Sequence, residues 1–161
     1  MSCSPSAVCF TGHRHIPEAH YEKLSDLLDK LVLGLASIGI TYFLCGGALG
    51  FDTMAAKAVL RLRNAGKRIR LVLILPCRNQ TRGWSEKDVE IYEHIRESAD
   101  EVIYTSDQYF NGCMQKRNRR LVDESDACVA YLTSPKGGTA YTVNYAKALG
   151  REVYNLADDL K

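Results

Sequence analysis

The chain has 161 residues, 46% hydrophobic and 25% charged, with a formal net charge of +2; this is the composition of one globular domain with a sizeable core, and it excludes a low-complexity or disordered chain. So small a net charge gives no whole-molecule field for nucleic acid, and no apolar run approaches the ~20 residues of a membrane span. Six cysteines without a CxxC pair argue against zinc and for reduced thiols in a cytoplasmic protein, and Met1 to Pro5 carries no signal-peptide pattern.

In chain order the pattern alternates strands and helices. The first predicted strand is Ala7 to Thr11. A helix follows from about Pro17 to Ile38, with Leu24, Leu27, Leu28, Leu31, Leu35 and Ile38 at helical spacing. Pro17 suits its first turn and Gly39 its end. The second strand, Thr41 to Cys45, runs into the glycine turn Gly46-Gly47-Ala48-Leu49-Gly50 and a helix from Phe51 to Asn64. The third strand is Ile69 to Leu75, broken by Pro76. A polar loop, Cys77 to Ser85, precedes a helix from about Ser85 to Ser98 and a short strand from Glu101 to Thr105. A helix from about Gly112 to Ser125 leads into the strand Ala127 to Leu132. A second glycine turn, Pro135-Lys136-Gly137-Gly138-Thr139, opens the last helix, Thr139 to Leu149, before a final strand, Glu152 to Asn155.

Apolar strands alternating with helices mean a mostly parallel sheet covered on both faces, a doubly wound α/β domain of Rossmann-like type. No linker or repeat divides residues 1–161, so a single domain is expected. Ligands of such sheets sit beyond the carboxyl ends of the strands, at the point where strand order reverses. The chemistry-bearing segments fall at those ends.

After the first strand come Thr11, Gly12, His13 and Arg14. Arg14 has the fork to hold a phosphate and His13 can hydrogen-bond a ribose or phosphate, though an ordinary surface loop would read the same way. The turn from Gly46 to Asp52 is neither GxGxxG nor a Walker loop. Gly46 and Gly47 suit close approach of a ligand. Asp52 is either a helix cap or a contact to a sugar or base. Gly137, Gly138 and Thr139, with Lys136 beside them, present free N–H groups and the helix dipole to an anion.

Met114, Arg117 and Leu121 share one helix face, which turns Arg117 toward the sheet. A charge in that position needs an anionic partner, from a carboxylate or from a bound phosphate, and Asn118 stands ready to supplement it. Arg119 and Arg120 read as solvated. Asn79, Gln80 and Trp84 are candidates to meet a base, or are plain surface loop. Cys9, Cys45 and Cys128 fall in strands and read as small core residues. Cys77 and Cys113 lack a base partner. Tyr104, Tyr131 and Tyr154 fall in strands and read as core.

The series VCFTGHR, CGGALGFD, LILPC, MQKRNRRLVDESDACVAYL and KGGTAYTVNYA resembles the YpsA-like branch of the SLOG superfamily, which takes in the DNA-processing protein A and the "lonely guy" phosphoribohydrolases. The resemblance spans Val8 to Leu156. It implies a Rossmann-like pocket for nucleotide-derived molecules, including NAD- and ADP-ribose-related signals, lined by Thr11, Gly12, Arg14, Gly46, Gly47, Asp52, Arg117, Gly137, Gly138 and Thr139. The phosphoribohydrolases pair an arginine with a glutamate in their glycine loop. Here Met114 and Arg117 match the first motif, but Thr142 falls where the glutamate is expected, and a hydroxyl is no substitute for that carboxylate. Glu86, Glu90 or Asp52 would have to replace it.

The expectation is therefore a binder of a nucleotide-derived small molecule, a sensor or a sequestering protein, with no metal or resident cofactor. An N-glycosidic hydrolase is the first alternative. A single-stranded DNA binder is the second, leaning on Lys116 to Arg120 but lacking a row of stacking aromatics. The long Pro17 to Ile38 helix is a candidate surface for self-association.

Overall fold

A computed structural model describes residues 6–160; the Met1 to Pro5 stretch, Cys3 included, lies outside the described residues. Six strands form one sheet: β1 (Ser6–Gly12), β2 (Ile40–Cys45), β3 (Arg70–Leu75), β4 (Glu101–Tyr104), β5 (Ala127–Tyr131) and β6 (Glu152–Asn155). Five helices connect them: α1 (Glu18–Ser37), α2 (Phe51–Asn64), α3 (Glu86–Ser98), α4 (Cys113–Asp123) and α5 (Gly138–Ala148). The sheet is parallel throughout, in the order β4-β3-β2-β1-β5-β6. The chain steps outward from β1 to β4, then returns to lay β5 on the other side of β1. The reversal lies between β1 and β5, where Cys9 pairs with both Leu44 and Cys128.

Alternation along each strand feeds two cores. Val8, Phe10, Phe43, Leu71 and Leu73 pack with Leu24 and Leu28 of α1 and Met54 and Val59 of α2. Cys9, Leu44, Val72 and Ile74 face the opposite way, onto Leu121 and Val122 of α4 and Ala146 of α5. Phe10 stacks on Phe43 and Phe51 on Tyr131, with ring centroids 6.1 Å apart in each pair. Truncating a fully buried leucine such as Leu24 would cost about 2–5 kcal/mol.

The ends of the elements move by only a residue or two from the sequence reading. Ser85 proves to be the cap of α3, its hydroxyl accepting from the Asp88 N–H at 3.1 Å. A closing 3-10 helix, Leu156–Leu160, was not anticipated; Leu156 and Ala157 bury against the first core. Tyr154 does not join the core: β6 is an edge strand, and its half-exposed ring sends the hydroxyl to Asp159 at 2.6 Å.

Candidate functional site

Each wall of the β1/β5 crevice comes from a different loop. Gly12 ends β1 because a Cβ there would stand 2.4 Å from the Phe51 ring. That contact lets α2 start hard against the strand end. His13 then ties three segments together. Its carbonyl accepts from the Phe51 N–H at 3.1 Å, its N–H reaches the Tyr131 carbonyl at 3.4 Å, and its Nε2 accepts from the Thr133 N–H at 2.9 Å. The last bond requires a neutral ring with the proton on Nδ1. Burial accordingly lowers the His13 pKa.

The glycines of the first turn serve packing. Gly50 has φ +75°, and a Cβ on it would fall 2.0 Å from the Arg14 carbonyl oxygen. Gly46 leaves the space that the Arg117 guanidinium fills. Gly50, not Asp52, occupies the helix cap position. Asp52 sits within the first turn, and its carboxylate reaches back to accept from the Ala48 N–H at 3.2 Å. Burial raises its pKa to about 6, against the pull of Arg117, the Ala48 N–H and Arg14.

Arg117 projects from α4 under the crevice floor and is only 5% exposed. Its guanidinium donates to the Gly46 carbonyl, to Asn118 Oδ1 at 2.7 Å, and weakly toward Met114 Sδ at 3.7 Å. Among the described residues no carboxylate comes within ion-pair distance of it. Burial lowers its pKa while the Asp52 charge opposes the shift; a guanidinium stays protonated regardless. The result is a buried cation satisfied only by neutral acceptors.

The opposite wall is the start of α5. Gly137, at φ +97°, turns the chain into the helix, and Gly138 and Thr139 face inward. Thr142 does not join them. It is fully buried and donates its hydroxyl to the Gly138 carbonyl at 2.9 Å.

Together these elements enclose a crevice of about 360 Å³. Of the residues singled out from sequence, Thr11, Gly12, His13, Arg14, Asp52, Arg117, Asn118, Gly138 and Thr139 line it. Gly46, Gly47, Lys136 and Gly137 do not. Gly46 lies behind Arg117, and Gly47 and Trp84 line a second cavity on the other face of the sheet. Ala48 and Gln115 also line the crevice and were missed; Gln115 lies off the Arg117 stripe, and Ala48 carries no functional group, so no sequence signal marked either. Glu86 and Glu90 line neither cavity, which leaves Asp52 as the carboxylate in the crevice among the described residues.

The other candidates are engaged in the protein itself. Asn79 Oδ1 accepts from the Tyr109 N–H at 3.1 Å. Gln80 is buried, its amide donating to the Gly46 carbonyl at 3.4 Å. Cys77 and Cys113 are fully buried, and burial raises the Cys77 pKa. Arg120 pairs with Glu124 at 2.8 Å, and Arg119 donates to the Tyr141 hydroxyl at 2.9 Å. Among the described residues there is no group of three or more His, Cys, Asp or Glu placed to hold a metal ion. No helix among them is long and apolar enough to cross a membrane.

The family model described as the YspA SLOG family matches residues 9–157, from within β1 to beyond the end of β6. The chain belongs to that family. The SPbeta prophage-derived protein YoqJ of Bacillus subtilis is 31% identical over 85% of this chain and 89% of its own length. A UPF0398 protein of Halalkalibacterium halodurans is 31% identical over 84% and 72%. Among solved structures the fold is shared with DNA processing protein A of Helicobacter pylori, described for its single-stranded DNA binding mode, at TM-score 0.67 and 19% identity. It is shared too with a molybdenum cofactor binding protein of Rippkaea orientalis, at TM-score 0.60 and 21% identity. This SLOG chain covers 92% of itself but 64% of the Helicobacter protein, and 94% against 76% for the Rippkaea protein.

Proposed function

We propose that this SLOG domain captures a nucleotide or nucleotide-derived small molecule of NAD or ADP-ribose type in the β1/β5 crevice, as a sensor or sequestering protein. The observation that carries the reading is Arg117, a buried guanidinium with no carboxylate partner on the wall of a cavity. Keeping a cation out of water without an ion pair is costly, and the Asp52 charge offsets only part of that cost, so such a group marks a place where an anion is expected to arrive. Arg14 adds a second cation, and the first turn of α5 adds outward N–H groups. The phosphate would rest between Arg117 and Gly138-Thr139, with the sugar toward Asp52. Single-stranded DNA, which the Helicobacter relative takes, is itself a chain of nucleotides. Releasing small molecules from freshly purified protein by denaturation, followed by mass spectrometry, tests this directly. A nucleotide-derived mass, lost in Arg117→Ala, is expected; an empty supernatant together with no binding of AMP, NAD or ADP-ribose would overturn it.

One observation favours a second reading, hydrolysis of an N-glycosidic bond. Asp52 lies in the crevice with its pKa raised to about 6, the range in which a carboxyl exchanges protons near neutral pH. Thr142, at the position where the related hydrolases carry glutamate, is sealed off. Release of free base from a nucleoside monophosphate or from NAD, abolished in Asp52→Asn, would establish turnover. An intact ligand after prolonged incubation leaves capture.

A further inference from the structure

On the other face of the sheet, between α2 and α3, lies a second cavity of about 320 Å³. Arg14 and Asp52 line both it and the crevice, so the two adjoin across the rim of the sheet. Their characters differ. The crevice is the more polar, whereas the second cavity has a largely aliphatic floor with Trp84 and Tyr92 in its wall. These two rings meet edge to face, 5.5 Å apart at 88°, an arrangement that commits at most one face of the indole. Tyr92 is only 8% exposed overall, and it lines the cavity beside Trp84. Lys57 lines the same cavity half-buried, and neither it nor Arg14 enters an ion pair among the described residues.

An aromatic wall and two cations outside any ion pair, at the passage to an anion site, call for a flat heterocycle joined to a phosphate group. Each cavity is near the lower bound of small-molecule sites, ~300 Å³, which is room for one nucleoside monophosphate rather than two. We infer that the α2/α3 cavity is a second subsite, and that the ligand class is a dinucleotide-type molecule: one half in the crevice, the linking diphosphate running from Arg117 past Arg14 toward Lys57, and the second ring against Trp84. The inference rests on the crevice reading proposed above and specifies its ligand.

Trp84 is the one tryptophan of the chain, so its fluorescence reports the second cavity alone. Titration with AMP and with NAD, read by calorimetry and by Trp84 emission, tests the two halves separately. NAD is expected to bind at least about tenfold more tightly than AMP, the usual worth of one base stacked on an aromatic ring. NAD, and not AMP, should change Trp84 emission. Trp84→Ala, and independently Lys57→Ala, should bring NAD down toward the affinity of AMP and leave AMP unaffected; Arg117→Ala should weaken both ligands. Equal, Arg117-dependent binding of the two with unchanged emission overturns the second subsite and leaves the crevice reading standing. No binding of either ligand overturns both. An emission change with NAD that survives Arg117→Ala intact makes the cavity a separate site and overturns the two-headed ligand.

Discussion

The guanidinium of Arg117 occupies the space that a side chain on Gly46 would need: a Cβ there would stand 2.6 Å from Arg117 Nη1. The same guanidinium donates to the Gly46 carbonyl. The two residues are 71 positions apart in sequence, on α4 and at the end of β2. Gly46 therefore serves the arginine rather than the ligand. The glycine turn after β2 is a socket that seats a cation beneath the crevice, and the glycine turn before α5 forms the wall opposite it.

Replacing Arg117 with methionine should separate binding from stability. The variant loses the phosphate partner, and truncating a buried charged contact costs ~2–5 kcal/mol of affinity, roughly a hundredfold in Kd. The ligand-free fold should tolerate the change, because an apolar side chain of similar length needs no desolvation. A melting temperature within about 4 °C of wild type, roughly 1 kcal/mol for a domain of this size, is expected. Calorimetric titration beside thermal unfolding checks it, and parallel losses in both would mean that Arg117 is a structural residue.

The glycines of the two turns should also behave differently. Gly50→Ala places a methyl 2.0 Å from the Arg14 carbonyl oxygen at φ +75°, with backbone on the other side that cannot yield. It should cost about 3 kcal/mol or more. Gly137→Ala, at φ +97° and ψ −174° but in open space, should cost the backbone strain alone, about 1–3 kcal/mol and less than Gly50→Ala. Urea unfolding of the two variants tests the contrast; similar costs would contradict the assigned packing role of the first turn.

The parts of the fold that were legible in sequence were those governed by local pattern. The 3.6-residue spacing of Leu24, Leu28 and Leu31 specifies its helix within the segment itself. Arg117 was legible too, since Met114, Arg117 and Leu121 lie on one face whatever the rest of the chain does. What stayed hidden depended on contacts between distant segments. Nothing near Gly46 says that an arginine from α4 will fill its empty side. Nothing near Thr142 says that its hydroxyl is spent on Gly138. Tyr154 looked like core because alternation does not tell an edge strand from a central one.

His13 should make the loop after β5 sensitive to acid. Its Nε2 must stay unprotonated to accept from Thr133, and burial depresses the folded pKa below the ordinary value of 6.5. The unfolded chain then binds the proton more readily than the folded one. The contribution of His13 is complete above pH ~6.5 and is lost as pH falls through the folded pKa. His13→Gln, which keeps an acceptor without a titration, should flatten this limb of the stability profile. Stability measured across pH 5 to 7 by chemical unfolding checks it, and an unchanged profile would show that the ring is not holding the loop.

Asp52 has the opposite sign. Its folded pKa is raised from 3.8 to about 6. Between those values the folded protein holds the proton that the unfolded chain releases, so stability falls as pH rises from ~4 to ~6. At pH 7 the buried carboxylate costs up to about 3 kcal/mol, and Asp52→Asn should recover part of that. Ligand binding follows the same charge. Protonating Asp52 makes the crevice more positive, so NAD, whose diphosphate does not titrate here, should bind more tightly at pH 5.5 than at 7.5. Asp52→Asn should remove that dependence apart from what His13, which lines the same crevice, contributes. A pH-independent NAD affinity in the wild type would place the carboxylate away from the phosphate.

Thr142→Glu restores the carboxylate that the related hydrolases carry at this position, and it should not restore hydrolysis. Thr142 is fully buried, and its hydroxyl is already engaged with the Gly138 carbonyl. A glutamate there would bury a charge beside a carbonyl oxygen, with no cation within the same turn of α5 to pair it. The fold should lose roughly 3 kcal/mol or more, or hold the residue protonated. Thr142→Val keeps the shape and removes one hydrogen bond, at about 1 kcal/mol. Thermal unfolding ranks the two, and incubation with a nucleoside monophosphate reads the activity. If Thr142→Glu folds like the wild type and liberates free base, the crevice is one substitution away from cutting, and Thr142 is the residue that holds it to capture.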